Sequence, residues 1–371
     1  MGVDAATGTM PRDEVAWLRL AFAACAPGGP ASAVVGVLDR LDWAAALPNP
    51  AAPAYVFLAA GCAGVPVGGG GADLEEAATR LAGEAAEVLA QAGRPVPSDL
   101  PHDPAIDALW VGAPDPLRIA AENLATGAAL AVPAAAIFPA LDARRRADAP
   151  PRSLGLAAGP DRDAARLGGM LELVERDAAA RWWTGATRPH AVDPAVAGAG
   201  RLAPLRAGAE TARATTLLAL PSAAGVPVVC ALSCDPDGAG LAFGLKAALD
   251  PATAVRGAVT ELLQMEIALQ MARHRAANAT PGDRATLARA ALDAGHPAFA
   301  AAPALPAPPP PADLGDHVAR LAAAGCRAVA ADLTAPAGLA VAKVFAPGLV
   351  PFPGGPARPA PGSPGTHATL M

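Results

Sequence analysis

A threefold internal repeat constrains the fold of this chain more than any other feature of its sequence. Three stretches share the pattern D-x3-A-x6-E-x2-[EQ]: "DLEEAATRLAGEAAE" from Asp73, "DRDAARLGGMLELVE" from Asp161 and "DPATAVRGAVTELLQ" from Asp250. Their starts are 88 and 89 residues apart, and only 17% of the chain is charged, so the recurring acidic and amide positions are not expected by chance. The repeat therefore indicates one supersecondary unit used three times.

Each repeat reads as a strand, a Gly-containing turn and a helix. Asp is a good helix N-cap, Pro251 occupies a first helical position, and Glu76 stands where a capping box would place it. Short apolar segments with Gly precede the Asp residues, namely "VPVGGGGA", "SLGLAAGP" and "LAFGLKAAL". We therefore predict a mixed α/β (α+β) fold in which three Gly-led strand–helix units recur.

The acidic positions of the repeats form pairs three residues apart, which share one helix face. The pairs are Glu84/Glu87, Glu172/Glu175 and Glu261/Gln264. A solvated polar face explains any single pair. Apolar residues and Trp182–Trp183 surround the second pair, however, and burying an unpaired carboxylate is costly.

Converging carboxylates need a cation, and a hard divalent ion such as Mg²⁺, often bound with a nucleotide phosphate, meets that need. Arg176 and Arg256 would then serve as bidentate phosphate clamps. We prefer this interpretation, in which the three helices converge on one Mg–ATP site.

Composition excludes several other classes of protein. The net charge is −6 and the basic residues are scattered, which argues against a nucleic-acid or anionic-membrane surface. Five cysteines show no zinc-ligand spacing and fit a reducing compartment. Prolines interrupt the apolar stretch "LATGAALAVPAAAIFPAL", and "WLRLAFAACA" reads as an amphipathic helix, not a secretory signal. We expect a soluble, cytoplasmic protein.

Four segments of the chain resemble the YcaO family in that family's order. "GLAAGPDRDAARLGGMLELVERDAAARWW" resembles its signature, in which a Gly-rich segment leads into a helix ending ELxERDA. "GGGGADLEEAATRLAGEAAE" and "FGLKAALDPATAVRGAVTELLQM" are similar to its first and third nucleotide motifs, and "AAGCRAVAADLTAPAGLAVAKVFAPGL" to its closing stretch. The resemblance covers roughly residues 60–350.

The resemblance implies a cyclodehydratase that uses ATP and Mg²⁺ to phosphorylate a peptide-backbone amide. The product would be azoline heterocycles at Cys, Ser or Thr of a ribosomally made precursor peptide. Two alternatives stay open: a thioamide-forming enzyme, and a catalytically impaired scaffold that binds a precursor peptide or a partner protein. The implied partner is a leader-peptide-binding protein, adenylating-enzyme-like or TfuA-like, and a homodimer is a further option.

The resemblance also assigns the site residues. Arg176 and Arg256 are the expected catalytic contacts, and Gln264 joins the nucleotide-binding set. The expected Mg–ATP carboxylates are Glu84, Glu87, Glu172, Glu175 and Glu261. Other residues stand where the family usually holds Lys, Ser, Arg and Asn, which keeps the impaired scaffold open. These departures are Gly70, Arg80, Val88 and Pro160.

Domain organisation follows from the same stretches. We expect a poorly defined N-terminal segment over 1–60, one catalytic domain over 61–350 and a Pro-rich tail over 351–371. A Pro-rich linker at about 296–312 is predicted to be an extended spacer. Core packing is the predicted role of Trp182 and Trp183, in preference to stacking on adenine.

Overall fold

The structure is a computed structural model of the 371-residue chain, and it describes residues 31–111, 117–304, 309–333, 338–349 and 362–366. The α-helices in these ranges are Ala31–Leu38 (α1), Leu74–Gln91 (α2), Pro104–Trp110 (α3), Arg162–Trp183 (α4), Pro194–Ala197 (α5), Leu202–Leu205 (α6), Pro251–His274 (α7), Pro281–Ala290 (α8) and Leu314–Ala323 (α9). The strands are Leu41–Ala46 (β1), Val56–Cys62 (β2), Val65–Gly71 (β3), Arg118–Asn123 (β4), Ala129–Pro133 (β5), Leu156–Gly159 (β6), His190–Ala191 (β7), Ala214–Leu220 (β8), Val228–Cys234 (β9), Ala242–Ala247 (β10), Val329–Leu333 (β11) and Ala340–Phe345 (β12).

The described strands form three antiparallel sheets, with the orders β1–β2–β3, β5–β4–β11–β12–β6 and β10–β9–β8–β7. The chain divides into two compact units. The first comprises Met1–Leu47, Val56–Met170 and Gly325–Pro347; the second comprises Pro48–Tyr55, Leu171–Ala324 and Gly348–Met371. The first two sheets belong to the first unit and the third sheet to the second. The predicted mixed α/β class is confirmed.

All three repeats form the strand and helix that the sequence predicts, because β3, β6 and β10 lead directly into α2, α4 and α7. Each helix begins with a side-chain cap of 2.8 or 2.9 Å: Glu76 N–H to Asp73, Ala164 N–H to Asp161 and Thr253 N–H to Asp250. Pro251 occupies the first turn of α7, as predicted. The Glu76 carboxylate differs from a capping box, since it accepts the N–H of Ala72 at 2.9 Å.

Glycine lets two of these helices lie directly on their strands. A Cβ atom added at Gly69 in β3 would lie 2.2 Å from the Leu81 nitrogen of α2. A Cβ added at Gly244 in β10 would lie 2.1 Å from the Leu262 nitrogen of α7. A side chain at Gly69 or Gly244 would therefore collide with the backbone of the helix that lies on the strand. This close approach explains why Gly recurs before the predicted helices.

A cluster of aromatic rings forms part of the core of the second unit. Trp182 and Trp183, each 1% exposed, pack edge to face on one another and on Phe243. Phe299 completes the cluster, with its ring centroid 6.0 Å from that of Trp182. Core packing of both tryptophans is therefore confirmed.

Part of the Pro-rich segment predicted as a spacer packs into this unit. Pro297–Phe299 forms a turn of 3₁₀-helix, and the Ala298 carbonyl accepts the indole N–H of Trp182 at 2.8 Å. The burial of one large aromatic ring outweighs the tendency of the surrounding prolines to stay extended. Residues 305–308 of the segment lie outside the described ranges.

A buried ion pair ties helix α7 to the rest of the second unit. Glu266 (1% exposed) accepts hydrogen bonds from Arg206 (3% exposed) at 2.6 and 3.3 Å. The Asn49 amide donates to the same carboxylate at 3.1 Å, and the Ser233 hydroxyl at 2.7 Å. Several donors thus satisfy one buried carboxylate, which makes the burial of its charge tolerable.

The predicted N-terminal segment is folded where the structure describes it. Residues 31–60 of the predicted N-terminal segment form α1, β1 and most of β2, whereas the predicted helix at "WLRLAFAACA" lies outside the described residues, as does most of the tail. "LATGAALAVPAAAIFPAL" forms β5 and a buried 3₁₀ turn. Among the described helices, none has the length and apolar composition needed to cross a membrane. The predicted domain boundaries stay predictions.

Candidate functional site

In the second unit, one strand edge holds the carboxylates of Glu175 and Glu261. Strand β10 is the outer strand of its sheet, and residues two apart on a strand direct their N–H groups to the same side. The Leu245 N–H donates to Glu261 Oε2 at 2.9 Å, and the Ala247 N–H donates to Glu175 Oε2 at 2.9 Å. The edge of β10 therefore fixes acidic side chains from two helices, α4 and α7.

Arg176 lies against the acidic side chains of this unit. Its guanidinium is 3.4 Å from Glu175 Oε1 and 3.6 Å from Glu172 Oε1. Burial lowers the pKa of Arg176, but the charges of Glu175, Glu261 and Glu172 together outweigh burial and leave the pKa raised. Arg176 is thus a permanent cation at the centre of an acidic cluster.

The cluster carries more negative charge than Arg176 neutralises. Burial, followed by the charge of Glu175, raises the pKa of Glu261 to about 7, although Arg176, the Leu245 N–H and Lys246 act in the opposite direction. A carboxylate in such surroundings is stabilised when a further cation binds. Burial and the charges of Glu261 and Glu175 also raise the pKa of Cys230, which makes this neighbouring thiol a poor nucleophile.

In the first unit, Glu84 and Glu87 are also held by strand N–H groups. Glu84 Oε2 accepts the N–H of Gly68 at 2.9 Å, and Glu87 Oε1 accepts that of Ala158 at 3.0 Å. Partial burial raises the pKa of Glu84, and the hydrogen bond from Gly68 opposes this rise. Both side chains of the first pair therefore lie at strand edges.

These hydrogen bonds follow one rule across the repeats. Glu84 and Glu261 each accept from the strand of their own repeat, 16 residues earlier in both cases. Glu87 and Glu175 each accept from the strand of the next repeat, at separations of 71 and 72 residues. In the first pair, Glu84 and Glu87 thus accept hydrogen bonds from the strands of two different repeats. A solvated polar face would produce no such pattern, and Glu175 is only 4% exposed.

The remaining predicted residues occupy different positions. Gln264 lies one turn after Glu261 on α7 and is partly exposed. The Arg256 guanidinium donates to Thr253 Oγ1 at 2.7 Å and lies 3.8 Å from Asp250, at the exposed start of the same helix. None of the contacts found among the described residues joins Arg256 to the glutamates, so its role stays a prediction.

Lys246 is a cation of this site that the sequence analysis missed. It lies in β10 between the two N–H donors and lowers the pKa of Glu261. A signal was present in the sequence, because Lys246 and Lys343 are the only two lysines of the chain.

The donor set suits Mg²⁺ only if a nucleotide completes it. Within the described residues, no group of three or more His, Cys, Asp or Glu side chains is placed to hold a metal ion. Mg²⁺ is commonly held by one or two carboxylates together with substrate phosphates and water. Glu175 and Glu261, two oxygen ligands with excess negative charge, fit that role.

Comparisons with known proteins identify the family and the fold. The sequence matches the family described as YcaO cyclodehydratase, ATP- and Mg²⁺-binding, over residues 68–350. A search of curated protein sequences finds no match.

Solved structures share the fold. YcaO from Methanopyrus kandleri bound with AMPPCP and Mg²⁺ is 21% identical, with a TM-score of 0.65 over 95% of this chain and 94% of that one. A heterocyclase in complex with substrate and cofactor is 22% identical (TM-score 0.64); 84% of this chain is covered but only 50% of that one, so this chain spans about half its length. The E. coli microcin synthetase McbBCD complex is 14% identical (TM-score 0.57), with coverage of 84% and 88%. The family match over most of the chain shows that this protein belongs to the YcaO family of ATP- and Mg²⁺-binding cyclodehydratases.

Proposed function

We propose that this protein uses ATP to phosphorylate backbone amide oxygens of a ribosomally made precursor peptide and thereby forms azolines at Cys, Ser or Thr. The observation that carries the proposal is the cluster of Glu175, Arg176 and Glu261 on the edge of β10, in a chain of the YcaO family. Its excess negative charge and its permanent cation together suit a metal-bound polyphosphate.

The reaction balances as a dehydration driven by ATP. The thiol or hydroxyl of the peptide side chain adds to the carbonyl carbon of the preceding residue and loses its proton. The resulting oxyanion takes the γ-phosphoryl group, and ADP leaves. The C–O bond then breaks, inorganic phosphate departs with the former carbonyl oxygen, and loss of the N–H proton leaves a C=N bond. Phosphorylation is needed because hydroxide is a poor leaving group from an amide-derived carbon.

Positioning of the reactants and neutralisation of charge contribute most of the catalysis in such phosphoryl transfers. In this proposal the metal carboxylates are Glu84, Glu87, Glu172, Glu175 and Glu261, and Mg²⁺ supplies positive charge for the phosphates. Arg176 contacts a phosphate oxygen, and Arg256 and Gln264 complete the nucleotide site. The meeting of the α2 glutamates with those of α4 and α7 at one nucleotide is part of the proposal.

Partner proteins are the next part of the proposal. The solved complexes that share the fold include a heterocyclase with its substrate and the McbBCD complex with pro-MccB17 bound. By analogy, this chain would act on a precursor peptide presented by a leader-binding partner, adenylating-enzyme-like or TfuA-like. The partner raises the local concentration of substrate at the ATP site. Homodimer formation and a cytoplasmic location are further proposals.

A second candidate is an impaired scaffold that binds peptide or partner without turnover. Arg80 favours it, because this side chain pairs with Glu76 at 2.7 Å on the first repeat helix, where the family usually carries Ser. Gly70, Val88 and Pro160 are the other departures. Such a scaffold would bind its partner equally well with and without Mg–ATP.

Mass spectrometry of the peptide product distinguishes these functions. The protein is incubated with ATP, Mg²⁺ and a Cys/Ser/Thr-containing precursor peptide, with and without a leader-binding partner protein. We expect a loss of one water mass per site, and much more of it with the partner present. An exchange of oxygen for sulfur when sulfide is supplied would instead identify thioamide formation. An unchanged peptide mass in the complete mixture would favour the scaffold, and Glu175→Gln provides the inactive control.

A further inference from the structure

Lys246 follows a path across helix α7 that only glycine leaves open. A Cβ atom added at Gly257 would lie 2.4 Å from Lys246 Cγ, 2.9 Å from its Cδ and 3.0 Å from its Cβ. The methylene chain of Lys246 therefore lies on bare helix backbone, while the residue as a whole is exposed. This is the arrangement in which a lysine stem packs and its ammonium stays accessible.

A lysine on the strand opposite a glycine on the helix occurs only in the third repeat. Lys246 and Gly257 correspond, at the repeat spacings of 88 and 89 residues, to the pairs Ala157/Gly168 and Gly69/Arg80. In the second repeat, a Cβ added at Gly168 would lie 3.0 Å from that of Ala157, so the same two positions face each other there. Only the third repeat combines a strand cation with an open helix position.

The Lys246 ammonium has hydrogen-bonding capacity to spare. Within the described residues it donates no hydrogen bond, whereas Arg176 and Arg256 contact neighbouring side chains. Its neighbours in β10, Leu245 and Ala247, hold Glu261 and Glu175. Its stem lies on Gly257, which is one turn before Glu261 on the same face of α7, so its ammonium is on the side of the helix that carries this carboxylate. The other lysine, Lys343, is fully buried and donates to main-chain carbonyls, so it is not accessible to a ligand.

We propose that Lys246 binds a phosphate group of the nucleotide, and that Gly257 keeps open the path of its side chain. An ammonium is a compact charge with three donors, which suits a phosphate oxygen. The inference rests on the function proposed above and adds to it a contact outside the glutamate and arginine set.

Calorimetric titration of the full chain with Mg–ATP tests this contact. We expect Lys246→Met to raise the Kd about tenfold, the scale of one charge-assisted hydrogen bond at a part-exposed site. Lys246→Arg should restore much of the affinity. The control is Arg273→Met. Arg273 is a cation on α7 that pairs with Asp235 at 2.9 Å, and the variant should bind Mg–ATP with the affinity of the wild type. The ratio of the Kd of Lys246→Met to that of the wild type should fall as the salt concentration rises, because salt screens the charge of the ammonium. A purely structural role of Lys246 would not produce this dependence.

A double-mutant cycle tests the path of the side chain. Gly257→Ala places a methyl group on the Lys246 stem and should weaken Mg–ATP binding, but it should cause no further loss once Lys246→Ala has removed that stem. Equal losses in both backgrounds would overturn the role given to Gly257. Wild-type affinity in Lys246→Met would overturn the phosphate contact and leave the proposed function intact. Absence of Mg–ATP binding by the wild type would overturn both.

Discussion

Neutralising Glu261 should stabilise the protein in the absence of ligand while removing its ability to bind Mg–ATP. Burial and the charge of Glu175 make the ionised form of Glu261 unfavourable in the folded state. The substitution Glu261→Gln removes that charge and keeps an oxygen that can accept the Leu245 N–H. Sites that bind a cation commonly lower the stability of the protein when no ligand is bound.

The sign and size follow from linkage. The pKa of Glu261 rises from an ordinary 4.5 to about 7 on folding, so the folded state keeps a proton that the unfolded chain has lost. The associated stability is fully present below pH 4.5 and is lost as the pH rises through 7. Its upper bound is about 3 kcal/mol. Because solvent reaches part of the side chain, we expect Glu261→Gln to gain about 2 kcal/mol at pH 8.

The assay is urea unfolding of wild type and Glu261→Gln at pH 8 and pH 5, in buffer with EDTA so that no divalent ion binds. The advantage of the variant should be present at pH 8 and mostly gone at pH 5, since the wild-type carboxyl is protonated there in the folded state. Other titrating groups cancel in the difference between the two proteins. The same variant should show no rise in Tm with Mg–ATP.

Two results would refute this reasoning. A Glu261→Gln protein that is less stable than the wild type at pH 8 would mean that the charge of Glu261 stabilises the fold. An advantage that is the same at pH 8 and pH 5 would mean that titration of Glu261 is not its source.

Three further substitutions test buried or closely packed positions of the fold. Burial lowers the pKa of His317 from 6.5 to about 4, and neither ring nitrogen has a hydrogen-bond partner among the described residues. Protonation of this buried ring should therefore lower the free energy of unfolding by about 3 kcal/mol as the pH drops from 7 to 4. His317→Gln should remove that loss, as measured by unfolding at a series of pH values. Gly244→Ala should lower the free energy of unfolding by about 2 kcal/mol or more, measured in urea, because the new methyl group meets helix backbone. The control Gly83→Ala, which has nothing within 4 Å of the new methyl group, should stabilise its helix by about 0.5–1 kcal/mol. Equal effects of the two substitutions would contradict the close approach of β10 and α7. Glu266→Ala should cost about 3–5 kcal/mol by leaving Arg206 buried without its carboxylate, and a loss under 1 kcal/mol would show that the pair is dispensable.

The sequence predicts the three strand–helix units because their signals are local. Asp73, Asp161 and Asp250 mark the helix starts, since a cap needs only the amides two or three residues ahead. The spacing of Glu172 and Glu175 likewise reports one helix face. The resemblance to the YcaO family extended these local signals to a fold, and the family match agrees with it.

The remaining features depend on contacts that no local pattern encodes. The Ala247 N–H that holds Glu175 is 72 residues away in sequence. Lys246 lies on Gly257 because β10 packs on α7, and these elements come together only in the folded protein. Phe299 is buried although prolines surround it, because the aromatic cluster that receives it comes from distant elements. Sequence reasoning identifies the acidic pairs but not what holds each carboxylate.

We propose that glutamates from three repeat helices serve one Mg–ATP site, and the most direct test is to measure the Kd for Mg–ATP of Glu84→Gln and Glu175→Gln beside the wild type. These residues lie on α2 and α4, and their variants should fold, because Gln retains an oxygen for the N–H of Gly68 or Ala247. We expect both variants to lose Mg–ATP binding while the wild type binds in a Mg²⁺-dependent manner. Wild-type affinity in the folded Glu84→Gln protein would contradict it, because the first repeat would then have no part in the site.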